Sequence, residues 1–159
     1  MADSMLIKYP SNLPAPLLNS HALKQQSNLL RTTMDSGHAR VRRRFKSVPT
    51  FMTASWRCNN DDAAAFEGFI THALQGGAAW FLMEVLTPLG MVEHEVRFIT
   101  SPLEDYKPIS AIWWEYHAKI EIKQRAVLSE RQTAEALLKP NSTTEFTDGI
   151  KEAVNSYQE

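Results

Sequence analysis

At 159 residues and 18.0 kDa, with 43% hydrophobic and 22% charged side chains, the chain is long enough for one packed domain and short for two. A formal net charge of −1 excludes polyanion binding by bulk charge alone, and the single cysteine, Cys58, excludes an intrachain disulfide or a cysteine-based zinc site within one copy, so a reducing compartment is expected. Nowhere do about 18 apolar residues run together, which excludes an ordinary transmembrane helix.

Residues 1–27 are rich in Pro, Ser, Asn and Gln, lack the basic leader and apolar stretch of a secretion signal, and read as an extended arm that docks through Leu13, Leu17 and Leu18. Asn28 to Met34 and Ala39 to Phe45 form two predicted strands, joined by turn chemistry at Asp35, Ser36 and Gly37 into a hairpin. Val48 to Arg57 is a third strand, with Pro49 near its start, where a missing backbone donor does least harm.

Asn59 and Asn60 then offer an N-cap, and Asp61 and Asp62 place negative charge where the helix dipole favours it. Phe66, Phe69, Ile70, Ala73 and Leu74 form one apolar stripe on a helix over 61–75, stopped by Gly76 and Gly77 and expected to lie against the sheet. Strands at Ala78 to Met83 and Val92 to Ile99 follow, turned by Pro88 and Gly90. The clearest signal is 112–122: Ile112, Trp114, Tyr116, Ala118, Ile120 and Ile122 alternate with Trp113, Glu115, His117, Lys119 and Glu121, the period of a half-buried strand. Ser129 can cap a helix through Leu138, and Glu145 to Tyr157 can form another. The fold expected is α+β, mainly β: an antiparallel barrel or sandwich over 28–128 with one packed helix, an N-terminal arm over 1–27 and a helical C-terminal appendage over 129–159.

Charge is unevenly spread. Residues 24–57 carry eight Lys or Arg against one acid, whereas 129–159 carry six acids against three bases. On a strand Arg40, Arg42 and Arg44 share a face, and Arg43 shares the other with Val41 and Phe45. The stripe could meet phosphates, but no aromatic interleaves with it as a single-strand platform requires, so contact with protein carboxylates is the simpler reading. Trp113 lies on the polar face of its strand and is a candidate anchor for a subunit contact.

No catalytic set emerges, and neither a metal nor a cofactor is expected. The histidines at 21, 38, 72, 94 and 117 form no His-x-x-x-His pair. His94 falls on an apolar face and reads as a satisfied core or interface residue. Glu93, Glu95, Glu115 and His117 could gather round a metal only if their strands were neighbours in the right register, with solvated cross-strand pairs the plainer reading. Cys58 sits beside a helix start, where a thiolate is favoured, yet no histidine stands at a familiar spacing from it, and a structural cysteine is the reading. Gly76 and Gly77 end a helix instead of opening one and are no phosphate loop.

The order of signals nonetheless resembles a known family. An Arg-rich stretch ending Arg44-Phe45 precedes an alternating strand ending in Trp56, a helix with Phe66 and Phe69, and Gly76-Gly77-Ala78-Ala79-Trp80-Phe81; Val96-Arg97-Phe98 and Ile120-Glu121-Ile122 complete the series. Over about residues 28–128 this resembles the small tail-tip proteins of long-tailed bacteriophages, the lambda-type minor tail protein M family and, more distantly, the N-terminal domain of distal tail proteins. The resemblance implies a noncatalytic virion subunit, made in the host cytoplasm, that forms a homo-oligomeric ring between the tail tube and the tip or fibre hub. Its implied partners are tube, hub or fibre proteins, with nonspecific contact to DNA in the tail channel and none to a membrane. A tail terminator or completion protein at the head-proximal end would use the same elements, and an intracellular nucleic-acid-binding module using Arg40, Arg42 and Arg44 is the alternative of another class.

Overall fold

A computed structural model describes residues 6–33 and 37–138. In chain order the elements are β1 (Ile7–Lys8), β2 (Ala22–Gln25), β3 (Leu29–Thr32), β4 (Arg40–Arg43), β5 (Thr50–Asn59), α1 (Asn60–Gly68), β6 (Phe81–Thr87), β7 (Gly90–Thr100), β8 (Tyr106–Pro108), β9 (Trp113–Ile122) and α2 (Glu130–Leu138). The protein is α+β and mainly β.

The main sheet has seven strands in the order β1-β6-β7-β9-β5-β2, with β8 added to β9. The alternation of β9 decides what the sheet buries. Tyr116, Ala118 and Ile120 stand opposite Trp56, Ala54 and Met52 of β5, and on the other flank Ile122 and Ile120 stand opposite Val96 and Phe98 of β7. β6 extends the same face, with Phe81 beside Val96 and Met83 beside His94. The opposite face carries the charges, paired across strands: Arg97 with Glu121 at 2.6 Å and Lys123 with Glu95 at 2.8 Å. Both cations also lie against the Trp80 ring, with Arg97 4.5 Å from its centroid. Trp80 itself precedes β6, which begins at Phe81, three residues later than the strand expected from Ala78, and runs on to Thr87.

α1 starts where the sequence says it should: the Asn59 side chain accepts a hydrogen bond from the Asp62 N–H at 2.8 Å, and Asp61 and Asp62 occupy the first turn. The expected helix over 61–75 is α-helical only to Gly68. A π-turn follows over Phe69–Ala73, closed by the Leu74 N–H on the Phe69 carbonyl, and Gln75, Gly76 and Gly77 then take positive φ and end it. Phe66, Ile70 and Leu74 are fully buried on the sheet, while Phe69 is half-buried against Tyr9 and Phe81. The Phe66 ring lies between Trp56, at 5.4 Å, and Tyr116, at 5.2 Å, and the Tyr116 hydroxyl donates to Glu67 at 2.7 Å, so the helix is held to β5 and β9 by rings and by a hydrogen bond. The indole N–H of Trp56 is buried in this cluster and meets no hydrogen-bond acceptor within bonding geometry among the described residues.

Over residues 6–27 the structure corrects the expectation of a separate arm: this segment is largely extended, but it supplies both ends of the sheet, β1 pairing parallel with β6 and β2 antiparallel with β5. Between them Leu13 enters the core, the Tyr9 hydroxyl donates to the Pro14 carbonyl at 2.7 Å, and the Leu17 N–H donates to Ser55. The His21 ring, next to β2, meets the Leu86 carbonyl on β6 at 2.9 Å, which requires the sheet to curl until its two ends approach. β1 and β2 do not pair with each other, so no closed barrel forms among the described residues; the expected barrel or sandwich is one curled sheet covered by α1 and the N-terminal segment.

β3 and β4 pair only with each other, as the predicted hairpin. They continue the β2–β5 ladder past the edge of the sheet, through the Gln26 N–H on Pro49 and the Arg44 N–H on Asn28. Among the described residues, those up to Ala126 belong to one compact unit and those from Val127 to a second. Within the second, Ser129 and Gln132 cap α2 reciprocally, Ser129 N–H to Gln132 and Gln132 N–H to the Ser129 hydroxyl, as the predicted cap requires. The expected helix at 145–157 lies outside the described residues.

Candidate functional site

The ribbon of β3 and β4 is exposed at every strand residue but Leu30. Register places Leu30 opposite Arg42 and Thr32 opposite Arg40 on one face, and Leu29 opposite Arg43 and Arg31 opposite Val41 on the other. All four residues of β4 are exposed. Arg40 and Arg42 do share a face as expected; Arg44 lies just past the strand, its backbone tied to Asn28 and its guanidinium 5.1 Å from the Phe45 ring centroid. The apolar side chains beside the arginines are equally open: Leu29, Val41 and Phe45 are 58%, 54% and 47% exposed. The ribbon is thus amphipathic across its two faces, with a cationic face and a mixed apolar and cationic one.

Trp113 stands at the far end of β5, opposite Asn59, and is 40% exposed. Around it the β8–β9 turn exposes Ile109 and Ile112. Ile112 was expected to point into the core as the first residue of the strand; β9 begins one residue later, because the Ile109 and Ser110 N–H groups bond to the Trp113 carbonyl and close a tight turn that holds Ile112 outside the ladder. Asn60 staples this turn to the start of α1: its side chain donates to the Ala111 carbonyl at 3.3 Å and accepts from the Trp114 indole N–H at 2.9 Å. Asp61, exposed, follows directly.

The other candidates resolve as structure. His94 is buried, with Nδ1 2.7 Å from the Val92 carbonyl and Nε2 accepting from the Ala126 N–H at 3.0 Å, the satisfied core histidine the alternation implied. β7 and β9 are neighbours, but their register sets Glu95 near Lys123 and leaves Glu115 and His117 at the opposite end beside β8. Glu93 pairs with Lys8 and Glu115 with Lys107, and no group of metal-ligating side chains gathers among the described residues. Cys58 is buried, and burial, reinforced by Asp62, pushes its thiol up to about 11, away from the thiolate a helix start could favour. A shallow depression on the outer face brings Ser20, Asp105 and His117 together. The Ser20 hydroxyl there accepts from Ser55 N–H at 2.8 Å and donates to Leu17, while the nearest carboxylate to His117 Nε2 is Glu115, at 3.7 Å, so the three make no nucleophile and base pair.

No family model matches the chain, and no characterised protein matches it in sequence.

Proposed function

We propose that the chain is a noncatalytic structural subunit of a bacteriophage tail, assembling as a homo-oligomeric ring at the distal end between the tube and the tip or fibre hub. The observation that carries this reading is the β3–β4 ribbon: a two-stranded hairpin standing off a sheet is marginal in water unless something covers it, and this one exposes Leu29, Val41 and Phe45. A rigid sheet with a projecting ribbon is what a ring subunit needs in order to reach its neighbour, and the cationic face with Arg40 and Arg42 suits either partner carboxylates or a channel that passes DNA. The resemblance over 28–128 supplies the setting.

Imaging of virions carrying a tag on this chain tests the reading. A ring of tagged subunits at the tail tip is expected; a tag at the head-proximal end would favour a terminator, and a tag-free particle would overturn virion membership. The nucleic-acid alternative rests on the same stripe and is read by binding of free duplex DNA at physiological salt, which replacement of Arg40, Arg42 and Arg44 by Glu would abolish.

A further inference from the structure

Two surfaces of the first unit are exposed, apolar at their centres and opposite in charge. The ribbon, residues 28–46, holds six Lys or Arg and one acid, a net charge of +5, round Leu29, Val41 and Phe45. The second surface is the β8–β9 turn, where Ile109, Ile112 and Trp113 are exposed, with the start of α1 that Asn60 staples to it, whose first turn carries Asp61, exposed, and Asp62, half-buried. The segments that build it, 57–67 and 104–117, hold six acids against two bases, a net charge of −4 with histidine neutral.

β5 separates the two. The ribbon leaves the sheet at the Thr50 end of β5, where Gln25 and Thr50 pair, and the turn stands at the Asn59 end, where Asn59 faces Trp113. Ten residues of strand span roughly 30 Å, so a ribbon continuing the β2–β5 ladder away from that strand cannot reach the turn of its own chain.

We infer that the ribbon of one copy seats on the β8–β9 turn and α1 start of a second copy, Leu29, Val41 and Phe45 against Ile109, Ile112 and Trp113, with Arg31 and Arg43 facing Asp61 and Asp62. The inference rests on the ring reading and names the contact by which the ring would close. Each chain has one ribbon and one receiving surface at opposite ends of a strand, so the contact is heterologous: it propagates head to tail and closes only by rotation. A nucleic acid fits the ribbon less well, since three open apolar side chains share the face of Arg31 and Arg43 and gain nothing from phosphates.

Two measurements on the full chain test this. In the first, sedimentation at low salt compares wild type with Arg31→Glu/Arg43→Glu and with Asp61→Lys/Asp62→Lys, all checked for native circular dichroism. Each variant alone should self-associate at least about tenfold more weakly, since like charges then meet across the contact, and an equimolar mixture of the two should recover, because both of its possible contacts are again complementary. In the second, Val41→Cys and Ile112→Cys chains are oxidised separately and mixed; a disulfide-linked dimer should form in the mixture and in neither alone, Cys58 being buried. Wild type that associates while both charge variants associate equally, or Val41→Cys chains that cross-link to themselves, would overturn the ribbon-to-turn contact and leave the ring reading standing. Wild type that stays monomeric at every concentration and gives no mixed disulfide would overturn both.

Discussion

Phe66 is the side chain on which the union of helix and sheet most depends, and Phe66→Ala measures it. The ring is fully buried and sits between Trp56 and Tyr116 at 5.4 and 5.2 Å. Removing it forfeits about 2 to 3 kcal/mol of transfer free energy and leaves a void of about 100 Å³, which at about 24 cal/mol per Å³ adds up to ~2 kcal/mol where the surroundings cannot collapse. Loss of the two edge contacts lies within the same total, so the expected cost is about 3 to 5 kcal/mol. With a urea m-value near 2 kcal/mol/M for a unit of this size, the denaturation midpoint should fall by about 2 M. Phe69→Ala is the internal comparison: Phe69 is half-buried at the π-turn, and its loss should cost roughly half as much. Equal shifts for the two variants, or a Phe66→Ala midpoint within about 0.3 M of wild type, would show that the helix is not held by this stripe.

Tyr116→Phe should cost about 1 to 2 kcal/mol, because the Glu67 carboxylate loses its buried donor while the ring stays in place; an unchanged midpoint would mean that the bond contributes nothing. Alkali should destabilise the fold from about pH 9 upward. Burial raises Cys58 from 9.0 to about 11 and raises Tyr9 and Tyr116 above their ordinary 10, so the unfolded chain releases these protons first; the stability they confer is complete below pH 9 and is lost as pH rises through the folded values. A urea midpoint flat from pH 8 to 10.5 would contradict this. Gly77→Ala should destabilise by about 1 to 2 kcal/mol in urea unfolding, since φ is +98° while a Cβ would make only ordinary contact with Phe98 at 3.5 Å; Gly76→Ala, at φ +74° with open space at its Cβ, should cost a similar amount. Deletion of residues 1–27 should abolish cooperative unfolding, because it strips β1, β2 and Leu13 from the sheet; a truncated chain with a wild-type midpoint would restore the arm reading.

What the sequence made legible is what local chemistry decides. The alternation of 113–122, the Asn59 cap, the Ser129 cap and the hairpin with opposed arginine faces all depend on neighbours a few residues away. The N-terminal strands depend on partners far along the chain. Ala22–Gln25 reads Ala-Leu-Lys-Gln, with no strand propensity, and becomes a strand because β5 offers it a ladder; Ile7–Lys8 is too short to carry any period. The π-turn has no sequence signature, and the separation of Glu95 from Glu115 is a matter of register, which alternation on single strands cannot give. For the candidate surfaces, Trp113 and the arginines announced themselves by breaking the pattern of their strands. Ile109 and Ile112 did not, since an apolar residue beside a strand looks like its continuation. The signal that could have found them is the Pro108–Ser110 interruption, which favours a turn over a longer strand.

The place of β9 in the sheet bears on how the chain is made. It is the last strand of the sheet to be synthesised, yet it lies in the middle, between β7 and β5. A nascent chain that ends before Trp113 holds β2–β5 on one side and β1–β6–β7 on the other, two fragments with open edges on the sides that β9 would join. Such edges bind other chains, and long-range pairings of this kind form slowly. The ribosome therefore delivers the junction last: a product terminated before Trp113 has no joined sheet and exposes two open edges to aggregation or proteolysis.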